Sequence, residues 1–236
     1  MKMKIEVDLH THVLPYMDDG AANSEMSRKM LLMFRDQGIR TVAATSHFDF
    51  RKESAKDFVS RRSESMKRFF SECDTEGLPE VIPGAEVHLM PGLSSVPLES
   101  LCYKDTNYVL VEMPHLPFSD RFIAELEVIV YRQKLVPVVA HIDRYMEWYS
   151  ESDVERLLSF EEAIFQINNH AFFKKSVCRT VTKIIKDGYP VVLGSDAHDT
   201  GDRRPNFDLL DDVMGKHYYQ KHIVPGIIET TKEILK

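Results

Sequence analysis

Histidine and carboxylate side chains recur along this sequence, each time directly after a short run of apolar, β-branched residues. The first such place is His10-Thr-His12, and the last is Asp196-Ala-His198. Side chains two residues apart in an extended segment lie on the same face. Both side chains of each motif can therefore approach one metal ion.

Four more such side chains follow separate apolar runs between these two motifs, namely His47, Glu86, Glu112 and His141. A lone buried histidine is usually a core residue with a hydrogen-bond partner, but the joint pattern favours a metal site. Imidazole and carboxylate without thiolate suit Zn²⁺, Mn²⁺ or Fe, whereas structural zinc sites are usually rich in cysteine. A carboxylate such as Glu86 can bridge two ions, and paired ions activate water for attack at phosphorus.

Strands and helices that must position these side chains alternate along the chain. The apolar runs predict seven strands, at residues 5–9, 41–45, 81–87, 108–112, 136–140, 163–167 and 191–193. Amphipathic stretches predict helices at residues 24–37, 55–73, 123–134, 153–158, 177–186, 207–214 and 227–235. Apolar strands joined by helices are typical of a parallel sheet that is buried on both faces. A closed α/β barrel fits this order, with its chemistry at the carboxyl ends of the strands.

The composition predicts one ordinary globular domain over residues 1–236, with 43% hydrophobic and 28% charged residues. A net charge of −7 argues against a nucleic-acid partner, because such binding needs a basic face. The sequence has no signal-like start and no apolar run long enough for stable membrane insertion. We therefore expect a cytoplasmic protein, and the sequence leaves a homo-oligomer open.

The three cysteines, Cys73, Cys102 and Cys178, are scattered and odd in number, which predicts reduced thiols. None is followed by arginine at the spacing of a cysteine-phosphatase phosphate loop. A cysteine nucleophile is thereby excluded.

Seven motifs resemble, in order, those of the polymerase-and-histidinol-phosphatase (PHP) superfamily: DLHTHVLP (8–15), DDGA (18–21), ATSH (44–47), GAE (84–86), VEMP (111–114), AHIDRY (140–145) and GSDAH (194–198). The DDGA motif and the chain length are similar to the bacterial manganese-dependent tyrosine-protein phosphatases of capsule and exopolysaccharide operons. The resemblance implies a single-domain, distorted TIM-like (β/α)7 barrel.

The resemblance also implies a cluster of three metal ions, with Mn²⁺ favoured and Fe or Zn²⁺ as alternatives. The implied ligands are His10, His12, Asp19, His47, Glu86, Glu112, His141, Asp196 and His198. Asp8 is expected to orient a liganding histidine rather than to bind metal.

Phosphate-binding arginines are implied at Arg144 and at either Arg203 or Arg204. Arg204 precedes Pro205 as in the family pattern, whereas Arg203 keeps the spacing from His198. The sequence does not choose between them. In the implied reaction, a metal-bridging hydroxide attacks phosphorus, and His47 or a metal-bound water serves as the acid.

Two rim positions depart from the family pattern, because Phe48 follows His47 and Ile142 follows His141. These changes concern the substrate pocket rather than the ligands. Six large side chains near strand ends are candidates for a wall around a phosphotyrosine ring: Met17, Phe48, Phe50, Tyr145, Trp148 and Tyr149.

The favoured substrate is phosphotyrosine in a protein, specifically a bacterial tyrosine kinase of polysaccharide assembly. A small-molecule phosphatase, such as a histidinol-phosphatase, would use the same ligands and stays open. A non-catalytic, metal-free binding module would predict broken ligand positions, yet all are intact. An amidohydrolase commonly has a metal-bridging lysine on a middle strand, where this chain has Glu112.

Overall fold

Residues 3–236, which the computed structural model describes, form nine strands and nine α-helices. The strands are β1 (Val7–Thr11), β2 (Thr41–Ala44), β3 (His47–Phe48), β4 (Glu80–Pro83), β5 (Glu86–His88), β6 (Tyr108–Glu112), β7 (Val136–Val139), β8 (Ile164–Asn168) and β9 (Val191–Gly194). The helices are α1 (Ser24–Asp36), α2 (Ala55–Glu72), α3 (Asp120–Tyr131), α4 (Ile142–Trp148), α5 (Glu151–Leu158), α6 (Lys175–Lys186), α7 (Phe207–Met214), α8 (His217–His222) and α9 (Val224–Ile234).

All strand pairs are parallel, in two sheets of order β1-β2-β4 and β3-β5-β6-β7-β8-β9. The two sheets are joined because β2 continues into β3 and β4 continues into β5. The Glu86 backbone N–H lies 3.1 Å from the carbonyl oxygens of both Thr45 and Ser46, which carries the pairing across the break. The predicted strands at residues 41–45 and 81–87 are thus each interrupted near their carboxyl ends.

Backbone hydrogen bonds also join the first and last strands. The His12 N–H donates to the Ala197 carbonyl at 2.9 Å, and the Asp196 N–H donates to the His10 carbonyl at 2.8 Å. The strand order therefore returns to β1, which gives the distorted parallel barrel that the sequence predicts. The same two links bring the first and last histidine motifs side by side.

On one side of the sheet, the strands carry apolar side chains, which are followed by polar side chains at the carboxyl ends. Leu110, Val138, Ile164 and Val192 belong to one buried apolar cluster. Side chains alternate along a strand, so Glu112 shares the side of Leu110, and Gln166 shares the side of Ile164. The polar rim therefore rests on a packed core.

Capping side chains and a glycine mark the ends of several helices that cover the strands. The Asn23 side chain accepts a hydrogen bond from the backbone of Met26 at the start of α1, and Ser54 and Ser150 cap α2 and α5 in the same way. Gly38, with φ of +85°, follows the end of α1. Within residues 3–236, no helix combines the length and apolar character needed to cross a bilayer.

Candidate metal centre

Nine side chains from the strand ends meet at the carboxyl rim of the barrel, and we call them the histidine–carboxylate cluster. They are His10, His12, Asp19, His47, Glu86, Glu112, His141, Asp196 and His198. The structure thus brings together every ligand position that the resemblance implies. Most of these side chains are buried, whereas Asp19 and His47 lie at the open edge.

Glu86 lies at the middle of the cluster with four imidazoles around its carboxylate. One oxygen, Oε2, is 3.2 Å from His10 Nε2, 3.3 Å from His12 Nε2 and 3.0 Å from His47 Nδ1. The other oxygen, Oε1, is 3.0 Å from His141 Nε2. A carboxylate with imidazoles on both oxygens is well placed to bridge two cations.

The remaining carboxylates extend this network. Asp196 Oδ1 is 3.6 Å from His10 Nε2 and 3.5 Å from His12 Nε2, and Glu112 Oε1 is 3.6 Å from His141 Nε2. Three overlapping groups of ligand atoms lie within 4.8 Å of one another: His12, Asp19, His47 and His198; His10, His12 and Glu86; and His47, Glu86 and Glu112. The overlap fits several neighbouring ions rather than one.

Hydrogen bonds to Nδ1 fix how two of the imidazoles present their other nitrogen. His10 Nδ1 is 2.9 Å from Gln166 Oε1, and His12 Nδ1 is 2.8 Å from Asp18 Oδ2. Because these oxygens accept hydrogen bonds, Nδ1 carries a proton in each ring, and Nε2 is the nitrogen that faces the cluster and can offer its lone pair to a metal. Sequence reasoning assigned a role to neither Asp18 nor Gln166.

Orphaned polar atoms at the centre fit a bound cation. Among the described residues, the buried Nε2 of His198 and Oε2 of Glu86 make no hydrogen bond of suitable geometry, although three imidazole nitrogens lie within 3.3 Å of Oε2. The Nδ1 atom of His198 is already engaged with the Asp196 carbonyl oxygen at 2.9 Å. Buried polar atoms are normally satisfied, so a metal ion is the partner that suits this donor set.

The charge states of the metal-free cluster follow from burial and from neighbouring charges. Burial alone would raise the pKa of Glu86, but His10 and the other histidines around it lower that pKa well below its ordinary value. Burial and the nearby His12 lower the pKa of His198. An ionised carboxylate and a neutral imidazole are the forms that bind metal.

Asp8 connects the first and last strands of the barrel instead of contacting an imidazole ring. Its carboxylate accepts hydrogen bonds from the backbone N–H of His10 at 3.0 Å and from the backbone N–H and hydroxyl of Ser195. Burial raises the pKa of Asp8 to about 7. Asp8 therefore holds the backbone of the liganding motif in place.

Arg144 and Arg203 both contact Asp196, one from helix α4 and the other from the loop after β9. Arg144 lies in α4, directly after β7, and donates to Asp196 Oδ2. Arg203 Nη2 is 3.2 Å from Asp196 Oδ1, and its Nη1 is 3.5 Å from Asp19 Oδ2. Two guanidinium groups therefore border the cluster.

Arg204 points away from this site. Its Nη1 donates to the Pro205 carbonyl oxygen at 2.7 Å, and its Nη2 donates to Asp208 Oδ2 at 3.0 Å near the start of α7. Of the two neighbouring arginines, the structure brings Arg203 to the cluster and engages Arg204 elsewhere.

Most of the candidate aromatic wall is packed inside the protein. Phe48 and Tyr145 are fully buried, and Met17 and Tyr149 are nearly so, which makes these four side chains unavailable to a substrate. Trp148, by contrast, is 37% exposed. The predicted wall is therefore wrong for its buried members.

The end of β8, which is the sixth predicted strand, contributes support rather than a cluster ligand. The Asn168 backbone N–H donates to Asp143 Oδ1 at 2.9 Å, and its side-chain amide lies 3.4 Å from Asp196 Oδ2. His170 Nε2 is 3.8 Å from Asp143 Oδ2, at the side of the cluster.

The fold and the cluster together define a PHP-type α/β barrel protein with a candidate metal centre at its carboxyl rim. Residues 6–236 match the family described as "Capsular polysaccharide synthesis, CpsB/CapC". The chain belongs to this family.

Several characterised proteins are similar to this chain along almost their whole length. It is 28% identical to tyrosine-protein phosphatase YwqE of Bacillus subtilis, with 97% of this chain and 91% of that protein covered. It is 22% identical to tyrosine-protein phosphatase CpsB of Streptococcus pneumoniae, with 97% and 98% covered. A solved structure, described as showing YwqE and CpsB as "unique metal-dependent tyrosine phosphatases", superposes with a TM-score of 0.75 at 25% identity and covers 97% of this chain and 94% of that one.

Proposed function

We propose that this protein is a metal-dependent phosphomonoester hydrolase that acts on phosphotyrosine in proteins. The observation that carries this proposal is the convergence of four imidazoles on the Glu86 carboxylate, beside two guanidinium groups. Cations and arginines at one site suit a phosphoryl group. The relatives named above as tyrosine-protein phosphatases support the choice of phosphotyrosine.

The histidine–carboxylate cluster would hold the metal ions. Glu86 is placed to bridge ions, and His10 and His12 would bind through Nε2, because their Nδ1 atoms are engaged by Gln166 and Asp18. Bound divalent cations would supply a nucleophile from water at neutral pH and would balance charge on phosphoryl oxygens. Mn²⁺ is the proposed ion, because the resemblance to the manganese-dependent phosphatases implies it, with Fe or Zn²⁺ as alternatives that suit the imidazole donors.

The two guanidinium groups would bind the phosphoryl oxygens. Arginine offers a planar fork of donors to two oxygens and has no lone pair for a cation. Arg144, in α4, and Arg203, in the loop after β9, reach the same carboxylate, Asp196, so a phosphoryl group beside Asp196 would lie within reach of both. Arg204 is proposed to stabilise the start of α7 through Asp208 instead.

The leaving group would depart towards the open edge of the cluster. His47 has a side chain that is 40% exposed, and its Nε2 lies 3.5 Å from Asp19 Oδ1. It is therefore the cluster imidazole best placed to donate a proton to the ester oxygen of a leaving group at the open edge. A phenolate, with a reference pKa of about 10, needs less help from an acid than an alkoxide does.

The proposed natural substrate is a phosphotyrosine-bearing kinase of polysaccharide assembly. The family description concerns capsular polysaccharide synthesis, and its named members are tyrosine-protein phosphatases. A polysaccharide-assembly kinase that carries phosphotyrosine accounts for both the family description and the activity of its named members.

A panel of phosphomonoesters tests the proposal. Purified protein supplied with Mn²⁺ should release phosphate from phosphotyrosine peptides faster than from matched phosphoserine peptides or histidinol phosphate. A preference for histidinol phosphate would make the protein a small-molecule phosphatase. Bound metal without any phosphate release would contradict hydrolysis itself.

A further inference from the structure

An exposed aromatic surface borders the candidate metal centre on one side. It consists of His115, Leu116 and Trp148, and we call it the aromatic rim. Leu116 is 48% exposed and Trp148 is 37% exposed. The rings of His115 and Trp148 stack, with centroids 4.2 Å apart and planes at 27°.

Both parts of the aromatic rim are attached to residues of the candidate site. His115 follows Glu112 by three residues in the loop after β6, and Trp148 follows Arg144 by four residues in α4. Helix residues four apart lie on the same face, with Cβ atoms about 5–6 Å from each other. The exposed ring of Trp148 therefore sits one helical turn from a guanidinium group that faces Asp196.

Packed side chains hold Trp148 in this position. Its ring lies 5.8 Å from the ring of Tyr145, which in turn lies 5.4 Å from the ring of His141 in the cluster. The hydroxyl oxygen of Tyr145 accepts a hydrogen bond from the Met113 backbone N–H at 2.8 Å. Trp148 is thus a rigid surface rather than a free side chain.

A cavity of about 190 Å³ is lined by both Trp148 and Arg144. Its lining also includes His170 and Lys174. In a phosphotyrosine side chain, one ester oxygen joins phosphorus to the ring, so the ring must lie next to the groups that hold the phosphoryl oxygens. An aromatic surface one turn from Arg144 meets that requirement.

We propose that Trp148 binds the phenyl ring of the substrate and thereby selects phosphotyrosine over phosphoserine. This inference rests on the proposed function. Aromatic rings pack favourably in stacked or edge-to-face geometry, and tryptophan offers a large, rigid surface for that contact. An alkyl phosphate bound at the same centre would have no ring to place there.

The natural fluorescence of the protein gives a direct test, because Trp148 is the only tryptophan in the chain. The probe is a non-hydrolysable phosphonate analogue of phosphotyrosine, added to metal-loaded wild-type protein at a concentration that inhibits phosphate release. We expect the analogue to change the emission of Trp148, and inorganic phosphate at inhibitory concentration to change it much less. Unchanged emission with the inhibitory analogue would overturn the inference.

Kinetics of Trp148→Ala provide the second test. We compare kcat/KM for a phosphotyrosine peptide with kcat/KM for the matched phosphoserine peptide, and we expect their ratio to fall about 10-fold, mainly through KM for phosphotyrosine. Trp148→Phe should keep most of the ratio, because it retains a ring. An equal loss on both peptides would mean that Trp148 is only structural.

Two further variants complete the design. Tyr218→Ala removes another exposed aromatic side chain, on α8 away from the cluster, and should leave the ratio unchanged. Phe50 lines a separate apolar cavity of about 690 Å³, so a selective fall in the ratio for Phe50→Ala instead would place the ring there and overturn the inference. If one of these results overturns the inference while the wild-type protein still hydrolyses phosphotyrosine peptides, the proposed function stands.

Discussion

At the scale of single residues, the cluster depends on side chains that orient the ligands as much as on the ligands. Asp18 accepts a hydrogen bond from His12 Nδ1 at 2.8 Å and another from the His47 backbone N–H at 2.9 Å. It therefore holds two imidazole-bearing segments with one carboxylate. Burial would raise the pKa of Asp18, but His12 lowers it below its ordinary value, so the carboxylate stays ionised.

The first prediction concerns Arg144. Loss of one charge-assisted contact to the phosphoryl group should cost about 2–4 kcal/mol of transition-state stabilisation, so Arg144→Ala should lower kcat/KM by roughly 30-fold to 1,000-fold. Metal content should be retained, because guanidinium does not bind cations. Arg144→Lys should recover part of the activity, since it restores charge without the planar fork. Steady-state kinetics and metal analysis of the same preparations check this.

A near-normal kcat/KM for Arg144→Ala with its metals in place would contradict the assigned role. Arg204→Ala is the matched control, because this guanidinium pairs with Asp208 outside the cluster. It should affect stability more than phosphate release.

The cysteines give a second prediction. Burial raises the pKa of Cys102 to about 12, so at pH 8 only about one molecule in 10,000 carries the reactive thiolate. We expect a thiol reagent to modify Cys102 only after unfolding, which mass spectrometry of folded and denatured samples can show. Cys73→Ser, Cys102→Ser and Cys178→Ser should each keep phosphatase activity, and loss of activity in a correctly folded variant would argue for a thiol role.

At the scale of elements, the junction of β1 and β9 is tightly packed. A Cβ atom on Gly194 would lie 2.5 Å from His10 Cβ and 2.9 Å from Gln166 Nε2. Such distances are shorter than van der Waals contact, so a larger residue must push the strands apart. The absence of a side chain at the end of β9 is what lets the two histidine motifs approach each other.

The third prediction follows for Gly194→Ala. Overpacking of this kind should destabilise the protein by about 1–3 kcal/mol, and displacement of His10 should weaken metal binding. Gly226→Ala in α9 is the matched control, because its new Cβ would meet nothing within 4 Å. Thermal unfolding and metal titration of both variants check this, and equal stability of the two variants would contradict the tight junction.

The order of elements could be read from the sequence, because strand and helix periodicities differ. The predicted strand at residues 108–112 and helix at residues 207–214 match β6 and α7 to the residue. The breaks between β2 and β3 and between β4 and β5 could not be read, since they arise from how the barrel bends. The short helices α4 and α8 have only seven and six residues, too few to show a clear helical period.

Eight of the nine candidate ligands were predictable because each stands at or just after a strand end, whereas Asp19, in the loop after β1, was implied only by the family resemblance. The residues that support the ligands were not predictable. Asp18 and Asp19 are adjacent, and only the loop geometry decides which one faces His12. Gln166 lies inside β8, where a polar residue in a buried strand gives no sign of its partner. The choice between Arg203 and Arg204 depends likewise on which way a loop turns.

At the scale of the whole molecule, the cluster exists only when the barrel closes. Its members range from His10 in the first strand to His198 after the last, and neighbours in the site are distant in the chain. Metal binding should therefore be coupled to folding.

The fourth prediction concerns pH. Burial alone would lower the pKa of His10, but Glu86 and Asp196 raise it by more, and carboxylates act in the same sense on His12 and His47. These shifts favour protonation of the three imidazoles in the metal-free protein, and bound metal must displace the protons. Metal affinity should thus increase from about pH 6 to pH 8, by about 10-fold per unit for each proton displaced.

Metal titrations at several pH values check this expectation, with the thermal midpoint of the metal-free protein recorded at each pH as the control. An affinity that falls or stays constant as pH rises would contradict the assignment of protonated imidazoles to the metal-free cluster.

Phosphate release from a phosphotyrosine peptide, measured before and after removal of metal, shows whether the protein is a metal-dependent phosphatase. One preparation is assayed as purified, after exhaustive chelation, and after addition of Mn²⁺ to the chelated sample. We expect chelation to abolish phosphate release and Mn²⁺ to restore it, while the fold persists throughout. Full activity in the chelated, demonstrably metal-free protein would contradict a metal-dependent phosphatase.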